Sequence, residues 1–347
     1  MRKTDLQLLV CPLCVADLRI DSVNEVRDGE FYEARLHCST CAADYPVVRG
    51  VPRFVPSENY AASFGLEWTL HAKTQYDSYS GLPLSRQRFF EETRWPVRLD
   101  GQLILEVGSG SGRFTEQAAT TGAFVVSMDY SNAVDANYRS NGNQPNVLIV
   151  QGDIYHMPFR PGTFDNLFCF GMLQHTPDVH GAFRGLPSML KPGGELVVDV
   201  YKKTFFASGL GTKYYVRWLT RHMDPDRLYR FTKRWVDTLW PLCSLIRKIP
   251  RIGPSINWRL LVADYSAVGL AGDMLKEWAY LDTFDMLSPR YDSPQTLATV
   301  RRWFAEAGLT EIDVQYGYNG IEGRGKRPLQ SPPAAAAGER SGPRCAS

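Results

Sequence analysis

The chain has 347 residues, of which 44% are hydrophobic and 22% are charged, and its formal net charge is +2. These proportions are those of a folded globular protein, and they exclude a largely disordered chain. Since one domain typically has about 100–200 residues, we expect more than one structural unit. The sequence has no apolar run of ~18 residues and no segment typical of a secretory leader, so we expect a cytoplasmic protein.

The first unit, residues 1–56, carries two C-x-x-C pairs. They are Cys11 with Cys14 and Cys38 with Cys41. In a chain without an export signal, such pairs favour metal ligation, with reducible disulfides as the alternative. Four thiolates satisfy tetrahedral zinc and leave no open coordination position. We therefore predict a structural zinc site.

Residues 101–201 alternate short apolar runs with helical stretches. The runs are LILEV, AFVVSMD, NVLIVQ, FDNLFCF and GELVVDVY. Their β-branched and aromatic content is typical of parallel strands that are buried on both faces. This alternation predicts an α/β fold with an open, doubly wound sheet and a ligand site at the carboxyl ends of its strands.

A glycine-rich loop, VGSGSGRF, follows the first predicted strand. Gly108, Gly110 and Gly112 lack a Cβ atom, so the backbone can approach a ligand closely, and the next helix directs free N–H groups towards it. A dinucleotide fingerprint would require a third glycine at the position of Arg113. The loop therefore favours a nucleotide ligand other than NAD.

Two acidic residues follow the next two strands. Asp129 ends the second strand, and Asp153 follows the third. At these positions, carboxylates can accept hydrogen bonds from ribose hydroxyls and from an adenine amine, while Ile154 packs on the ring. Each of them alone would also fit a helix N-cap. Their joint placement favours an adenosyl ligand.

These motifs resemble the class I S-adenosylmethionine (SAM) dependent methyltransferases, in particular the group with the ubiquinone and menaquinone enzymes. The matching pieces are LEVGSGSGRFT, MDYS, GDIYHMPF, FDNLFCFGMLQHTPD, LKPGGELVVDVY and VRRWFAEAGLTEIDV. The resemblance covers about residues 57–320. It implies a Rossmann-like sheet of seven strands, the last of them antiparallel, and methyl transfer from SAM.

The resemblance also implies which residues contact the cofactor. The methionine end of the cofactor would contact Glu106, Gly108, Ser109 and Gly110, and the ribose would contact Asp129. The adenine would contact Tyr130, Asp153 and Ile154, and Phe170 would lie near the sulfonium. The connector, residues 57–100, looks like a helical cap over the amino acid end, with Trp68 and Gln75 as candidates. An aromatic helix on the sheet edge is the alternative.

The cysteine-bearing head resembles a fused zinc ribbon akin to the small activators of tRNA methyltransferases. Some rRNA guanine methyltransferases also join a zinc-binding head to a catalytic domain of this kind. Methylation of an rRNA or tRNA base is therefore an alternative function. It would require a basic face with stacking aromatic side chains.

A basic insertion, residues 202–290, interrupts the alternation after the fifth strand. From Tyr201 to Leu261 there are thirteen Lys or Arg and three Asp, a local net charge of +10. Asp224 and Pro225 are typical of a helix start. The apolar residues that follow at helical spacing are Leu228, Phe231, Trp235, Leu239 and Leu242. They predict one apolar face, packed on the domain as a lid.

The charge of the insertion suggests two kinds of partner. The lid could wall a pocket for an anionic or amphipathic small molecule, or it could rest on anionic lipid as a peripheral membrane contact. The alternative is that the insertion is a helical lid packed on the domain, and that its Lys and Arg side chains are solvated and bind no partner.

Methyl transfer is an in-line displacement that depends on alignment, and it needs a base if the nucleophile carries a proton. His175, just beyond the fourth strand, is the candidate base, although a helix residue bonded to the backbone is the alternative. Other polar candidates near the cavity are Tyr201, Asp282, Asp285, Arg290 and Tyr291.

From about Arg324 to Ser347 the chain is rich in Pro, Ala, Gly and Ser, and we predict a disordered tail. The methyltransferase domain would then cover residues 101–323.

The predicted function is methyl transfer from SAM to an O, N or C atom of a small molecule, such as a glycan, lipid-linked or secondary-metabolite intermediate. A non-catalytic scaffold with a methyltransferase fold is a further alternative.

Overall fold

The computed structural model describes residues 1–56, 59–203 and 212–329. The N-terminal domain begins with a 3-10 helix, Lys3–Leu8, and continues as a small antiparallel sheet. Its strands, in spatial as well as chain order, are β1 (Leu18–Arg27), β2 (Glu30–Cys38), β3 (Asp44–Val48) and β4 (Val51–Pro52).

A second sheet of seven strands forms the centre of the chain. Its strands are β5 (Leu103–Val107), β6 (Phe124–Asp129), β7 (Val147–Gln151), β8 (Phe164–Cys169), β9 (Leu190–Val200), β10 (Thr310–Gly317) and β11 (Gly320–Lys326). Their order is β10-β11-β9-β8-β5-β6-β7. The pairs among β5 to β9 are parallel, whereas β11 is antiparallel to both β9 and β10. The predicted α/β fold with an antiparallel last strand is confirmed.

The helices fall into a connector, a set of crossovers and an insertion. In chain order they are α1 (Ala62–Leu70), α2 (Asp77–Ser80), α3 (Leu84–Thr93), α4 (Arg113–Ala119), α5 (Val134–Asn141), α6 (Val179–Met189), α7 (Thr212–Thr220), α8 (Pro225–Ile246), α9 (Gly253–Arg259), α10 (Gly272–Leu287) and α11 (Leu297–Glu306). Helices α7 to α10 form the insertion. None of the helices in the described ranges is long and apolar enough to cross a bilayer.

The N-terminal domain packs along β7, the edge strand of the central sheet. The backbone N–H of Phe54 donates to the carbonyl of Gln151 at 2.8 Å, and Val10 donates to Pro158 at 2.9 Å. Arg53 adds an ion pair with Asp135 at 2.6 Å. Because an uncovered edge strand would expose unpaired backbone groups, the small domain also protects the larger sheet.

The predicted start of the disordered tail at Arg324 is wrong. Arg324 lies within β11, is only 4% exposed and pairs with Asp313 at 2.6 Å. A Cβ atom on Gly323 would lie 2.6 Å from the ring of Phe304, so this glycine lets helix α11 pack closely on the strand. Pairing on both sides stabilises a strand whose composition resembled that of a loop. Residues 330–347, with the rest of the predicted tail, lie outside the described residues.

The prediction of one apolar face on helix α8 is wrong in part. Leu228 is buried as expected, but the side chains buried with it are Thr232, Val236 and Cys243. Phe231, Trp235 and Leu242 are 47%, 38% and 48% exposed. The helix packs on α10 and α1 through a face rotated away from the predicted one. A second apolar stripe therefore remains at the surface.

Candidate active site and cysteine cluster

A cavity of about 690 Å³ lies at the carboxyl ends of the central strands, beneath α1 and the insertion. This volume is within the range of ~300–1,000 Å³ that is typical of small-molecule sites. The predicted site residues that line it are Gly108, Ser109, Gly110, Asp129, Tyr130, Ile154, Phe170 and His175. The structure thus brings most of the predicted site to one place.

The glycine loop has a conformation and surroundings that only glycine fits. Gly108 and Gly110 have φ of +86° and +54°. A Cβ atom on Gly108 would lie 2.6 Å from the side chain of Met172, and one on Gly110 would lie 3.0 Å from the indole nitrogen of Trp68. Larger residues would therefore strain the backbone and push these neighbours into the cavity.

Asp129 links the glycine loop to the end of β6. Its Oδ2 accepts a hydrogen bond from Gly110 N at 2.8 Å, and its Oδ1 accepts from Ser131 N at 2.8 Å and Ser131 Oγ at 2.7 Å. Burial raises the pKa of Asp129, while these hydrogen bonds act in the opposite direction. Since a carboxylate oxygen has two lone pairs, Oδ2 can still accept a hydroxyl from a ligand.

Tyr60 is a cavity residue that the sequence did not single out. Its ring stacks on that of Tyr130, with the centroids 4.8 Å apart and the planes 25° from parallel. In the sequence, only its position in the aromatic connector, residues 57–100, could have indicated Tyr60 as a cavity residue. Together the two rings form a flat wall next to Asp129.

Glu106 does not line the cavity, contrary to its implied contact with the methionine end. The carboxyl group is buried beneath the loop, where Oε2 accepts from Thr115 Oγ1 at 2.5 Å and from Ser127 Oγ at 2.9 Å. Asn137 extends the network by donating to Ser127 Oγ at 2.9 Å. Burial raises the pKa of Glu106 to about 7. The residue supports the loop from below.

Asp153 also lies outside the cavity wall, although Gly152 and Ile154 on either side are part of it. Its Oδ1 accepts from the backbone N–H of Tyr155 at 3.0 Å. This hydrogen bond belongs to a turn over residues 153–156 and not to the helix N-cap that was the alternative for this position. The backbone and the Ile154 side chain are what this segment contributes to the cavity.

His175 is held at the cavity wall by its Nδ1 atom. This nitrogen lies 3.0 Å from the carbonyl oxygen of Tyr291, and the ring packs against Phe64 and Tyr201 with centroid separations of 5.3 and 5.5 Å. A carbonyl can only accept, so Nδ1 carries the proton and Nε2 keeps its lone pair in the neutral ring. The imidazole is therefore preset as a proton acceptor.

The connector and the insertion supply the rest of the wall. The candidates Trp68, Gln75, Tyr201, Asp282 and Asp285 line the cavity, whereas Arg290 and Tyr291 do not belong to its lining. The structure adds charged lining residues that sequence reasoning missed, namely Glu67, Arg88, Lys202, Lys213, Arg217, Arg259 and Asp292, and it adds Arg113 from the glycine-loop motif. No local motif marks the first seven, because they come from different parts of the chain.

The insertion's buried cations are already paired. Lys213 and Arg217 lie 3.2 and 3.3 Å from Asp292, whose side chain is 2% exposed. Arg217 also donates to the carbonyl oxygens of Met286 and Pro289. These cations therefore have little capacity left to bind an anionic ligand.

The four head cysteines form one cluster. Their sulfur atoms all lie within 4.8 Å of one another, and Cys11–Cys41 and Cys14–Cys38 are each 3.5 Å apart, too far for a disulfide of ~2.05 Å. Tetrahedral zinc with bonds of ~2.3 Å requires sulfurs about 3.8 Å apart. The donor set and its spacing fit that ion.

The backbone around the two cysteine pairs is the same. The N–H four residues after the first cysteine donates back to its carbonyl, at 2.8 Å from Val15 to Cys11 and at 2.9 Å from Ala42 to Cys38. Each turn thereby directs two thiols towards a common point.

Known proteins resemble the central part of the chain. Residues 105–198 match the family described as "Methyltransferase domain". A demethylmenaquinone methyltransferase of Thermobifida fusca is 29% identical over 194 residues, covering 52% of this chain and 81% of the relative. Strands β5 to β9 and the glycine loop lie almost entirely within the family match, whereas β10 and β11 lie beyond it. The central part of the chain is similar to a methyltransferase domain.

Other similarities cover less of the matched protein. A ubiquinone biosynthesis O-methyltransferase of Xanthomonas euvesicatoria is 31% identical over 131 residues, which are 36% of this chain and 55% of the relative. A solved structure of Haemonchus contortus phosphoethanolamine N-methyltransferase 2 with SAM shares 17% identity and covers 66% of this chain and 38% of that one, with a TM-score of 0.37. The chain thus spans little more than half of several relatives. At the level of the family, the predicted methyltransferase is confirmed.

The buried Glu106 should make stability depend on pH. Its native pKa of about 7 exceeds the ordinary 4.5, so between these values the folded methyltransferase domain holds a proton that the unfolded chain releases. The contribution of Glu106 to the free energy of unfolding should therefore fall as the pH rises from 4.5 to 7 and then level off. Glu106→Gln should remove about 3 kcal/mol of this fall, measured by urea unfolding across that range. Glu91→Gln, at an exposed position, should leave the slope unchanged.

Asp129 and Asp153 should differ in their effect on cofactor affinity. Asp129→Ala should weaken binding of S-adenosylhomocysteine at least tenfold, because a charge-assisted hydrogen bond is worth ~1.5–3 kcal/mol. Asp153→Ala should change it less than about twofold, since the side chain lies outside the cavity wall. Calorimetric titration measures both, with thermal unfolding as the check on folding. If the two variants lose the same amount of affinity for S-adenosylhomocysteine, the adenine contact that the resemblance implies for Asp153 is supported.

Proposed function

We propose that the protein transfers a methyl group from SAM to a small-molecule acceptor inside the cavity. The observation that carries the proposal is that the glycine loop, Asp129 and Ile154 surround one cavity of about 690 Å³. In this site Asp129 would accept the ribose hydroxyls, while Tyr130 and Ile154 would enclose adenine. When bound, SAM supplies an electrophilic methyl group on a sulfonium.

The chain's own contribution is alignment and proton removal. Phe170, at the end of β8, and Tyr201, at the end of β9, would border the reacting centre and exclude water from it. His175 Nε2 would accept the proton of an acceptor hydroxyl or amine as the methyl group is transferred. The Tyr291 carbonyl would keep the imidazole in the required tautomer.

The acceptor is proposed to be amphipathic rather than strongly anionic. Lys213 and Arg217, two of the insertion cations that line the cavity, both pair with Asp292, and aromatic side chains such as Phe64 and Tyr214 contribute much of the lining. The names of the relatives in menaquinone and ubiquinone methylation also favour a small molecule over RNA. The insertion carries exposed aromatic rings beside arginines, as RNA methylation would require, but the names of the relatives favour the small molecule, and methylation of a base in RNA is not proposed.

The outer side of the insertion supports contact with an anionic membrane. On helix α8 the exposed apolar stripe consists of Phe231, Trp235, Leu242 and Leu245. Next to it stand exposed arginines that have no acidic partner among the described residues, Arg227, Arg230 and Arg234. Aromatic and aliphatic side chains interleaved with such cations are typical of interfacial helices. An amphipathic acceptor would reach the cavity from that surface.

The cysteine cluster is proposed to hold one structural zinc ion. Cys11, Cys14, Cys38 and Cys41 would be the four ligands, and the ion would fix the two cysteine turns and the docking of the head on β7. Thiolate ligation of this kind fits a reducing compartment, and we place the protein in the cytoplasm on that ground. The ion takes no part in methyl transfer, because four thiolates leave it no open position.

Methyl transfer can be tested by formation of S-adenosylhomocysteine with a panel of phenols, amines and amphipathic acceptors. Activity should increase when an amphipathic acceptor is presented in anionic vesicles, and more at low than at high salt. His175→Gln should lower kcat about 100-fold or more and flatten its pH profile, whereas His180→Gln, on the exposed side of α6, should not. Absence of cofactor binding would refute the enzyme and support the scaffold alternative.

Zinc can be measured directly in the purified protein. About one zinc ion per protein chain should be present. The Cys14→Ser and Cys41→Ser variants should lose most of this zinc. Their melting temperature should also fall, because the binding free energy of a structural zinc ion contributes to folding. Cys169→Ser is the matched control, since that cysteine is buried in β8, away from the cluster. Full zinc content in the Cys41→Ser variant would contradict the four-ligand site.

A further inference from the structure

Two opposite charges face the same end of the cavity without forming an ion pair. Arg113, the first residue of α4, makes no hydrogen bond or ion pair among the described residues, and its guanidinium contacts only the ring of Phe114, at 4.4 Å. Asp282, on α10, is 9% exposed, and its Oδ1 accepts from Gln75 Nε2 at 3.3 Å. Its Oδ2 is buried without a partner in the described chain.

A third polar group in the same wall also lacks a partner. Trp278 lies one helical turn before Asp282 on α10, so the two side chains share a face of the helix. The indole is 4% exposed and lines the cavity, and its Nε1 is buried with no acceptor in the described residues. A buried N–H without an acceptor costs free energy, which a ligand with an acceptor oxygen would recover.

Some of the charged groups near this end have partners. Arg88 is paired with Glu92 at 2.6 Å and also with Asp199. Asp129 accepts hydrogen bonds from Gly110 and Ser131. The lining groups without a partner in the described residues include the donors on Arg113 and Trp278 and one carboxyl oxygen each on Asp282, Glu67 and Asp292. The Tyr265 hydroxyl also interacts with the Asp282 carboxyl group.

Arg113, Trp278 and Asp282 together complement an α-amino acid group, which carries one carboxylate and one ammonium on a single carbon. Within this set, Arg113 follows directly after Gly112 of the glycine loop, whereas Tyr130 and Ile154, the proposed adenine wall, follow the ends of β6 and β7. Trp68, which packs on Gly110, borders the same region. A ligand that spans the loop from its adenine end would place its other end here.

Building on the proposed function, we propose that Arg113, Trp278 and Asp282 bind the amino acid end of the cofactor. Arg113 and Trp278 donate to the carboxylate, and Asp282 accepts from the ammonium. Glu106, which the family resemblance placed at this end, is buried under the loop and does not take this role. Because Asp282 and Trp278 belong to α10, the insertion is part of the cofactor site and not only a lid over the acceptor.

The test compares two ligands that differ only at the end in question. S-adenosylhomocysteine carries the amino acid group, whereas 5′-methylthioadenosine has the same adenosine and thioether without it. By calorimetry, Asp282→Asn should weaken S-adenosylhomocysteine tenfold or more and 5′-methylthioadenosine less than twofold. Arg113→Gln should act in the same way, and Trp278→Phe, which removes the N–H together with part of the indole ring system, should have a smaller effect of the same pattern.

Asp285→Asn is the matched control. Asp285 is a buried acid on the same helix that lines the same cavity, and the charges that act on it most strongly are those of His175, Lys213, Asp292 and Arg217. The substitution should change the affinities for the two ligands by the same factor. Trp278→Phe keeps an aromatic ring and all the charges, so it still tests the proposed contacts if Asp282→Asn fails to fold.

The outcomes separate this inference from the proposed function. If wild-type protein binds S-adenosylhomocysteine but the Asp282 and Trp278 variants weaken both ligands equally, or neither, then the proposed amino acid contacts are wrong and the methyltransferase proposal stands. If the wild-type protein binds neither ligand, both proposals fall. Selective loss of S-adenosylhomocysteine in these variants, with no selectivity in Asp285→Asn, supports the contacts.

Discussion

Hydrogen bonds between the glycine loop and the end of β6 are the constraint on which the cavity depends. Gly108 N donates to the Met128 carbonyl at 2.8 Å, and Gly110 N donates to the Asp129 carboxylate, also at 2.8 Å. They fix the loop in a conformation with positive φ, and the buried Glu106 network supports it from below. Trp68 can pack on Gly110 only because that loop is held in place.

The distribution of charge separates the inside of the insertion from its outside. Some cations of the same basic segment are paired, as Arg247 is with Asp264 at 2.9 Å and Lys213 is with Asp292 at 3.2 Å, and Arg259 also lines the cavity. The unpaired arginines of α8 point outwards beside an apolar stripe. A single segment thereby provides a nearly neutral wall for the cavity and a positive, partly apolar surface. That arrangement suits an acceptor that partitions between membrane and protein.

The cysteine head packs against the methyltransferase domain but contributes no residue to the lining of the cavity. Its two matching turns bring four thiols together, and its last residues pair with the edge strand β7 through Phe54 and Arg53. Since β7 precedes the segment with Ile154, a metal that rigidifies the head also stabilises the adenine wall indirectly. The head would thus influence cofactor binding through packing.

The sequence by itself determined the sheet, the glycine loop, Asp129, Ile154 and the four cysteines. Each of these rests on a local signature: a buried strand has its own composition, a close backbone approach requires glycine, and a cysteine turn has fixed spacing. The family resemblance added the strand count and the antiparallel last strand. The cofactor contacts that it implies for Glu106 and Asp153 remain predictions, and the structure adds that neither side chain is part of the cavity lining.

Only the tertiary structure decided how separate segments face one another. It showed which side of α8 is buried, that Arg324 belongs to a strand paired on both sides, and that Arg113 and Asp282 share one wall of the cavity. None of these follows from a local pattern, since burial and pairing arise from contacts between residues far apart in the chain. The chemistry at the glycine loop could be predicted from neighbouring residues, whereas the groups that close the cavity over it could not.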